Sequence, residues 1–515
     1  MNTKERDLTQ SLSQSHNPIL NLKQAFDQRD TFFSNRSSCI FPIYFTNFDN
    51  DLHIVFLNYW TLKNKIPANK LVLNFRIYDS HGSLIKRQTE SNFGNHNQFS
   101  IRGILGDKPQ SSFQGMVDVE IISTENLRFS FPGIVGIYQS GELFSAVHSA
   151  GRIKNTDEAQ LTTYTQETNW TCKFSQTTTP FFHFFIGNKK PLNKTIKAFL
   201  KSKTGETIQE KTIDISDMDS FASKLYLAED LFEKENLKQD NFISVLVEHG
   251  STFPRMVVGN YFKSIHHFEV THSFPLIEKN DYCRAEEVNQ IPSMLNCYTD
   301  KKLTLTTKIF PTNCSGVFKG VVNRQEFDEE SLKNKKIEKE YSTSHLSSPV
   351  EETLGEDDKF LAIHFIGEEI PSRLNASFIY KVKGTNSNYS TDIASGAKSC
   401  VYPPKFRHWG QAYIDHGYDT SILIRNNSHK PTETKNGNGV LTIYSSEEMF
   451  TIKFDIKAES AVSISLLEHF SPVYKTPKKY PNFLSWIIES DVPTCETFWI
   501  SYRKADGAIF GEHGF

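Results

Sequence analysis

The sequence predicts an all-β chain of four tandem β-sandwich units with little helix. A succession of strand, proline-containing loop, strand ending in tyrosine, polar turn and strand occurs four times, and apolar residues alternate with polar ones along its strands. The tyrosines of this succession lie about 120 residues apart, a spacing typical of modules that follow one another along a chain. They are Tyr138, Tyr261, Tyr380 and Tyr502.

The individual strands are predicted from this alternation. Leu73, Phe75 and Ile77 alternate with Asn74 and Arg76, which places the apolar side chains on one face of an extended run. One apolar face needs a second sheet to cover it. Each repeat is therefore expected to contain about six to eight short strands in two packed layers.

An asparagine after an early strand marks the first turn of every repeat. These residues are Asn58, Asn188, Asn313 and Asn426. Asparagine tolerates left-handed backbone and hydrogen-bonds to its own chain, so a strand followed by asparagine indicates a turn.

The repeats also define the predicted unit limits. The units are placed at 36–153, 154–276, 277–397 and 398–515, after an N-terminal extension over 1–35. The extension is predicted to be partly disordered, with a short amphipathic helix within 15–34.

Two segments depart from the strand pattern. Phe221, Leu225, Ala228 and Phe232 recur at helical spacing and predict a helix within 220–237. The charged run 326–340 predicts an exposed excursion of the third unit.

Charge and hydropathy limit which classes of partner and which locations are expected. The 57 Lys and Arg residues nearly balance the 60 Asp and Glu residues, so no nucleic-acid partner is expected. No run approaches the length of about 18 apolar residues that a membrane helix needs, so no integral membrane segment is predicted. The N-terminus lacks the basic and then apolar pattern of a secretory signal, which predicts a cytoplasmic protein. An extracellular location by a non-standard route stays open.

Seven cysteines are thinly spread and form no C-x-x-C pair. This pattern predicts reduced, mostly buried thiols rather than a disulfide framework or a structural zinc site. No cofactor is expected.

In their strand rhythm the repeats resemble immunoglobulin-like and fibronectin-like sandwiches. The resemblance implies two packed antiparallel sheets in each unit. The Cys, Trp, Cys pattern of immunoglobulin domains is absent, so no functional residue is carried over from those families.

The last unit contains the richest mixture of aromatic, charged and glycine residues. We predict a ligand-binding site formed by Arg407, His408, Trp409, Asp415 and His416. Rings that stack on apolar faces and polar tips that fix orientation are typical of a sugar-binding or small-ligand cleft. The alternative is an ordered interdomain loop in which the tryptophan fills a joint.

A histidine recurs near the end of three repeats, as His148, His272 and His513. We predict His272 and His513 as candidate metal ligands, because imidazole binds transition metals. Alternation along 266–272 divides the nearby histidines between two faces of a strand, so a metal would need ligands from elsewhere. The alternative is that each histidine caps the last strand of its unit through one hydrogen bond.

The sequence has no Walker-type loop, no G-x-S-x-G elbow and no H-E-x-x-H motif. Tandem architecture without such motifs predicts a non-enzymatic, multi-module binding or scaffold protein with a protein or carbohydrate partner. Two alternatives stay open. One is a carbohydrate- or metal-dependent enzyme with its site in the last unit, and the other is a structural component of a virion or cell-surface assembly.

Overall fold

The computed structural model describes residues 34–515 with short gaps. The gaps are 92, 107–111, 129–131, 149–150, 154–162, 169, 240, 251, 253–254, 277–281, 285–292, 311–316, 327–332, 343–349, 368, 372–373, 398–404, 427–433, 471–480 and 493–494. The described residues form two compact units, one up to Leu276 and one after it. The predicted extension lies outside the described residues except for its last two positions.

Strands dominate both units, which confirms the all-β prediction. The described residues form eight antiparallel sheets of four or five strands and one two-stranded sheet. The helices among them are single turns, and none is long and apolar enough to cross a membrane. They are α1 (Tyr59–Leu62), α2 (Ile101–Leu105), α3 (Ala228–Leu231) and α4 (Leu466–His469), with 3-10 turns at Ala68–Lys70, Lys234–Asn236 and Lys263–Ile265.

The first sheet pair contains eight strands. They are β1 (Arg36–Phe45), β2 (Asn50–Leu57), β3 (Leu71–Asp79), β4 (Leu84–Glu90), β5 (His96–Ser100), β6 (Phe113–Ser123), β7 (Val135–Ser140) and β8 (Leu143–His148). One sheet has the order β1-β6-β3-β4 and the other β5-β2-β7-β8. The Phe75 and Phe99 rings, one from each sheet, lie 5.0 Å apart, so the two sheets pack face to face.

The second sheet pair completes the first compact unit. Its strands are β9 (Thr163–Thr168), β10 (Thr178–Phe185), β11 (Thr195–Lys201), β12 (Thr207–Asp214), β13 (Ser223–Leu227), β14 (Phe242–His249), β15 (Val257–Phe262), β16 (His267–His272) and β17 (Phe274–Pro275). The sheet orders are β12-β11-β14-β9-β17 and β13-β10-β15-β16. Leu200 and Val245 of the first sheet share one apolar cluster with Phe182 and Val258 of the second.

The third sheet pair begins the second compact unit. Its strands are β18 (Tyr282–Arg284), β19 (Ser293–Tyr298), β20 (Leu303–Ile309), β21 (Val317–Glu326), β22 (Lys333–Ser342), β23 (Val350–Thr353), β24 (Asp358–Gly367), β25 (Glu369–Pro371), β26 (Leu374–Val382) and β27 (Thr391–Ala397). The sheet orders are β19-β24-β21-β22 and β23-β20-β26-β27, and β18 pairs with β25.

The fourth sheet pair ends at the last residues of the sequence. Its strands are β28 (Arg407–Ala412), β29 (Tyr418–Asn426), β30 (Gly437–Tyr444), β31 (Met449–Ile456), β32 (Ser460–Ser465), β33 (Leu484–Ser490), β34 (Cys495–Arg503) and β35 (Ile509–His513). The sheet orders are β28-β33-β30-β31 and β32-β29-β34-β35. One apolar cluster joins Leu305 and Phe378 of the third pair to Leu423 and Ile500 of the fourth, so these two pairs share a core.

The same strand order recurs in all four sheet pairs. When β17, β18 and β25 are set aside, each pair has eight strands, lettered a to h in chain order. One sheet is then always a-f-c-d and the other always e-b-g-h. The four tyrosines that define the sequence repeat all lie on strand g.

Strand h is where the two sheet pairs of each compact unit meet. In the first unit the Val270 N–H donates a hydrogen bond to Ser145 Oγ, which joins β16 to β8. In the second unit Thr391 Oγ1 donates to the Gly511 carbonyl, which joins β27 to β35. The two contacts therefore link the same pair of strands in both units.

The predicted helix within 220–237 is wrong over most of its length. Ser223–Leu227 form β13, and the helix is limited to the single turn of α3. Strand β13 pairs antiparallel with β10, with Phe181 opposite Leu227. Pairing with β10 makes this segment a strand. The helical spacing of its apolar residues could not reveal that a partner strand lies beside it.

The predicted excursion over 326–340 is also wrong for 333–340, whereas 327–332 lie outside the described residues. Lys333–Ser342 form β22, which pairs antiparallel with β21 and completes the a-f-c-d sheet of the third pair. A highly charged strand is compatible with this position, because strand d is a sheet edge, where charged side chains are common.

Candidate functional site

The predicted ligand residues fall into two groups in the fourth sheet pair. Arg407, His408 and Trp409 begin strand β28, whereas Asp415 and His416 lie in the turn that connects β28 to β29. The two groups have different surroundings.

The strand group is paired or buried. The Arg407 guanidinium lies 2.6 Å from Glu489 on the neighbouring strand, and both side chains are about half exposed. His408 and Trp409 are 3% and 7% exposed. The Trp409 carbonyl accepts a 2.9 Å hydrogen bond from the Phe515 N–H, and the two rings are 6.3 Å apart. Packing of this kind is expected under the alternative interpretation, in which the tryptophan fills a joint.

The turn group contains a short polar chain. His416 has left-handed backbone with φ of 53°, and its Nδ1 lies 2.8 Å from the Tyr413 hydroxyl and 3.6 Å from Asp415 Oδ2. The His416 side chain is 46% exposed, whereas Tyr413 is fully buried. Of the five predicted residues, His416 is the one whose imidazole both reaches solvent and lies within hydrogen-bond distance of a buried phenol. The ligand-site assignment stays a prediction.

The two predicted metal ligands lie in different compact units, and each has the same local hydrogen bond. His272 Nδ1 lies 2.9 Å from the Ser273 carbonyl, and His513 Nδ1 lies 3.0 Å from the Gly514 carbonyl. A carbonyl oxygen only accepts, so Nδ1 carries the proton in both residues. This contact with the backbone at the end of strand h is the one expected if each histidine caps the last strand of its unit.

The same hydrogen bond also fixes the tautomer that a metal ligand would need. With the proton on Nδ1, the lone pair of a neutral imidazole is on Nε2, and metal-binding histidines commonly donate their other N–H to a carbonyl. His272 is 2% exposed, and its ring makes an edge contact with His148, with centroids 4.7 Å apart. The metal assignment of His272 and His513 stays a prediction.

A buried polar cluster that the sequence did not reveal lies in the second compact unit. It consists of Asp300, Lys302, Asp419, Ser465 and Tyr502, and is called the Asp419 cluster below. Asp419 Oδ2 accepts hydrogen bonds from Ser465 Oγ at 2.6 Å, Tyr502 at 3.1 Å and Lys302 at 3.3 Å. Asp419 is 7% exposed, so these donors replace the water that its carboxylate has lost.

Asp300 extends the cluster on its other side. Its carboxylate accepts hydrogen bonds from Ser421 Oγ and, at 3.4 Å, from Ser463 Oγ. Burial raises the pKa of Asp300, although the Ser421 hydroxyl and Lys302 oppose that rise. Two carboxylates therefore share one cationic side chain in a largely buried place.

The protonation of Tyr502 and Lys302 argues against catalysis by either group. Burial and the neighbouring Asp300 and Asp419 carboxylates raise the pKa of Tyr502. Burial opposes the charge of Lys302, but Tyr502 and Asp419 outweigh it and raise the pKa of Lys302. Both groups keep their protons near neutral pH, whereas a general base or an amine nucleophile needs a lowered pKa. The arrangement can hold strands together, and neither Tyr502 nor Lys302 readily gives up its proton.

Part of the Asp419 cluster recurs in the first compact unit. Asp419 accepts from Ser465 and from the Leu467 N–H at 3.1 Å, which fixes the start of α4 to strand β29. Asp51 accepts in the same way from Ser100 at 2.5 Å and from the Arg102 N–H at 3.0 Å, which fixes α2 to β2.

The second sheet pair has a weaker form of this contact, in which Thr179 Oγ1 accepts from the Glu229 N–H at 3.3 Å. Asp51, Thr179 and Asp419 are each the second residue of strand b. This second position of strand b indicates a contact with a helix start only after the repeats have been aligned strand by strand. A single Asp or Thr at the start of a strand carries no information by itself.

No protein-family model matches this sequence, and no curated protein matches it. Among solved structures, the chain is similar to trypsin-activated alpha-2-macroglobulin from Escherichia coli at 8% identity and a TM-score of 0.10. The match covers 90% of this chain and 30% of that one, so it spans less than a third of the other protein. A TM-score this low carries no argument about fold or function. The class that the fold itself defines is an all-β protein of packed antiparallel sheets.

Proposed function

We propose that this chain is a non-enzymatic, multi-module binding or scaffold protein. Its modules are four tandem β-sandwich units over 36–153, 154–276, 277–397 and 398–515. The recurrence of the a-f-c-d and e-b-g-h sheet orders in four successive stretches supports this division. Strings of such units commonly present loops and sheet edges to partners.

The observation that carries the proposal is how the buried polar groups are used. Asp419 and Asp51 each fix a helix start to strand b, and Ser145 joins two strands h. These contacts make a rigid framework in which the polar side chains serve the fold. A framework of this kind suits a protein whose task is to hold partner surfaces in a defined arrangement, with a protein or a carbohydrate as partner.

The test combines a binding screen with an activity screen on the full chain. Candidate partners from a glycan array and from affinity capture are purified and titrated by calorimetry. The same protein is assayed against chromogenic glycosides, esters and phosphate esters. We expect saturable binding of a purified partner without turnover. Turnover that rises with protein concentration and disappears in His416→Ala would overturn the proposal.

A second candidate function is an enzyme acting on a carbohydrate or small polar ligand, with its site in the last unit. The specific observation in its favour is the Asp415, His416 and Tyr413 chain, which places an exposed imidazole 2.8 Å from a phenol. Loss of turnover in His416→Ala, with binding of the ligand retained, would separate this enzyme from the binding role. Metal analysis of the purified chain, with His272→Ala and His513→Ala as controls, tests whether a metal takes part.

A further inference from the structure

We infer that two copies of this chain pair edge to edge through strand β31 (Met449–Ile456), so that the partner at this surface is a second copy. The inference goes beyond the binding role proposed above and does not depend on it. It rests on which edge strands of the described chain lack a neighbour on one side, and on which of these strands is complementary to itself.

Most edge strands of the described sheets are already covered or short. Strands h meet within each compact unit through Ser145 and Thr391. Strand β9 carries β17 beside it, and β28 hydrogen-bonds to Phe515. Strands e have four to six residues each, and short edge strands are a common protection against pairing.

Strands d are different, because they are long and hydrogen-bond on one side. They are β4, β12, β22 and β31, each at the end of its sheet. In β4 and β12 charges occupy the middle of the strand, as Lys86 and Arg87 or as Glu210 and Lys211. In the sequence of β22, charged residues are spread along most of the strand. Charges in the middle of an edge strand discourage pairing with another chain.

Strand β31 differs, because its first half is uncharged and its two charges, of opposite sign, lie in its second half. Its first four residues, Met449 to Ile452, are uncharged, and Met449 is 61% exposed. Among the described residues, β31 pairs with β30 alone. An exposed edge of this composition is a site where another strand can add to the sheet.

The two charges of β31 specify a self-complementary register. Lys453 and Asp455 are both exposed and flank the buried Phe454, so they point to the same face. In an antiparallel twofold pair centred on Phe454, Lys453 of each copy lies opposite Asp455 of the other. Ile452 then lies opposite Ile456. Two ion pairs and two apolar pairs form across the new edge.

Neighbouring registers of β31 are worse. A centre one residue earlier opposes Lys453 to Lys453, and a centre one residue later opposes Asp455 to Asp455. Like charges directly opposite each other destabilise an antiparallel pair. The charge pattern therefore favours one register among those close to it.

Two other open edges, β12 and β4, fit self-pairing less well. In β12 a centre on Glu210 or on Lys211 opposes like charges, and Glu210 already has an ion pair with Lys197 at 2.7 Å. In β4 a centre on Gln88 matches Lys86 with Glu90. That register places no apolar residue of β4 opposite another residue of the strand, whereas β31 gains its two isoleucine pairs.

The experiment measures the mass of the full chain by sedimentation equilibrium over roughly 1–100 μM protein. We expect a concentration-dependent species of twice the 59.0 kDa monomer mass. Lys453→Asp and Asp455→Lys each place like charges opposite each other twice, and each is expected to weaken the dimer about tenfold. The double swap K453D/D455K restores both ion pairs and is expected to restore the dimer.

Mixing the two single variants is the sharpest arm, because each K453D chain is complementary to a D455K chain. The mixture is expected to dimerise more tightly than either variant does alone, a result that a folding defect cannot give. Lys211→Asp on β12 is the matched control and is expected to leave the dimer unchanged. A wild-type monomer at all concentrations, a double swap or mixture that stays as weak as the single variants, or an equal effect of K211D would each overturn the inference.

Discussion

The Val270 N–H donates a 2.8 Å hydrogen bond to the Ser145 hydroxyl, which joins the h strands of the two sheet pairs in the first compact unit. Thr391 and Gly511 make the corresponding contact in the second unit at 3.5 Å. Ser145 lies opposite Tyr138 on strand g. The correspondence indicates that the arrangement of two sheet pairs, and not only the single pair, is repeated along this chain.

The agreement between the two units extends to the hydroxyl residues themselves. Thr391 lies opposite Tyr380 on strand g, as Ser145 lies opposite Tyr138. Val270 and Gly511 each precede the terminal histidine of their strand by two residues.

The joint in the first unit should depend on the Ser145 hydroxyl. Ser145 is 4% exposed, so Ser145→Ala leaves the buried Val270 N–H without its acceptor. We expect the free energy of unfolding to fall by about 1–2 kcal/mol. Urea denaturation followed by intrinsic fluorescence measures it. The control, Ser91→Ala at an exposed position, should change stability by less than about 0.5 kcal/mol, and an equal effect of both variants would contradict the assignment.

The Asp419 cluster predicts an asymmetry between Asp419 and Lys302. Asp419→Ala removes the acceptor of Ser465, Tyr502 and Lys302 together, and we expect it to cost about 3 kcal/mol or more. Lys302→Met leaves Asp419 with its other donors, and Lys302 is 33% exposed, so we expect a loss of about 1 kcal/mol.

Denaturant unfolding of both variants measures this asymmetry. Asp51→Ala is the matched variant in the first compact unit, where the same contact fixes α2, and it should also cost more than Lys302→Met. Equal losses for Asp419→Ala and Lys302→Met would mean that the ion pair, and not the hydrogen bonds to Asp419, stabilises this region.

Acid should destabilise the first compact unit through its buried histidines. Burial lowers the pKa of His183 to about 3, and burial lowers the pKa of His267 to about 4 despite the opposing effect of Glu269. The unfolded chain binds a proton at each site near pH 6.5, whereas the folded chain does not until about pH 3–4. Stability is therefore highest above pH 6.5 and falls as the pH drops towards 4.

The variant His183→Gln removes one such site. We expect its stability to fall less steeply between pH 7 and 4, by about 3 kcal/mol over that interval, whatever its stability at pH 7. Thermal melts at several pH values measure this slope. Ser91→Ala, which changes an exposed residue without an ionisable group, should keep the wild-type slope. A His183→Gln slope equal to that of the wild type would refute the assignment.

The predicted ligand residues should separate into structural and surface positions. Trp409→Ala removes a large buried ring and should cost about 3–5 kcal/mol. His416→Ala, at a side chain 46% exposed, should cost less than about 1 kcal/mol. Thermal unfolding measures both. A ligand whose affinity falls in His416→Ala at unchanged melting temperature would support a site in the turn, whereas an unchanged stability of Trp409→Ala would contradict its packing against Phe515.

The strand pattern was predictable because it depends on neighbours in the sequence. Leu73, Phe75 and Ile77 are fully buried in β3, as their alternation predicts. The two failures have a common cause. Ser223–Leu227 and Lys333–Ser342 are both edge strands, one paired with β10 far back in the sequence and the other with the preceding β21, and their sequences follow no clear period of two.

The candidate site was less predictable, because its residues come together from distant parts of the chain. Trp409 and His416 are prominent in the sequence, but one is buried and the other lies on a surface turn. Asp300 and Asp419 carry no local motif, yet Lys302 and serines of β29 and β32 bring them into one cluster. Only packing between sheet pairs creates that environment.

The sequence by itself determined the all-β class and the positions of the repeated tyrosines, since both follow from local alternation and turn residues. The tertiary structure alone decided what each tyrosine binds. Tyr138 donates to the Pro42 carbonyl on strand a, whereas Tyr502, at the same place of its repeat, donates to Asp419 on strand b. The physical reason is distance along the chain. Backbone alternation is set by adjacent residues, but a hydroxyl finds its acceptor among residues 96 and 83 positions away, which only the packed sheets bring within reach.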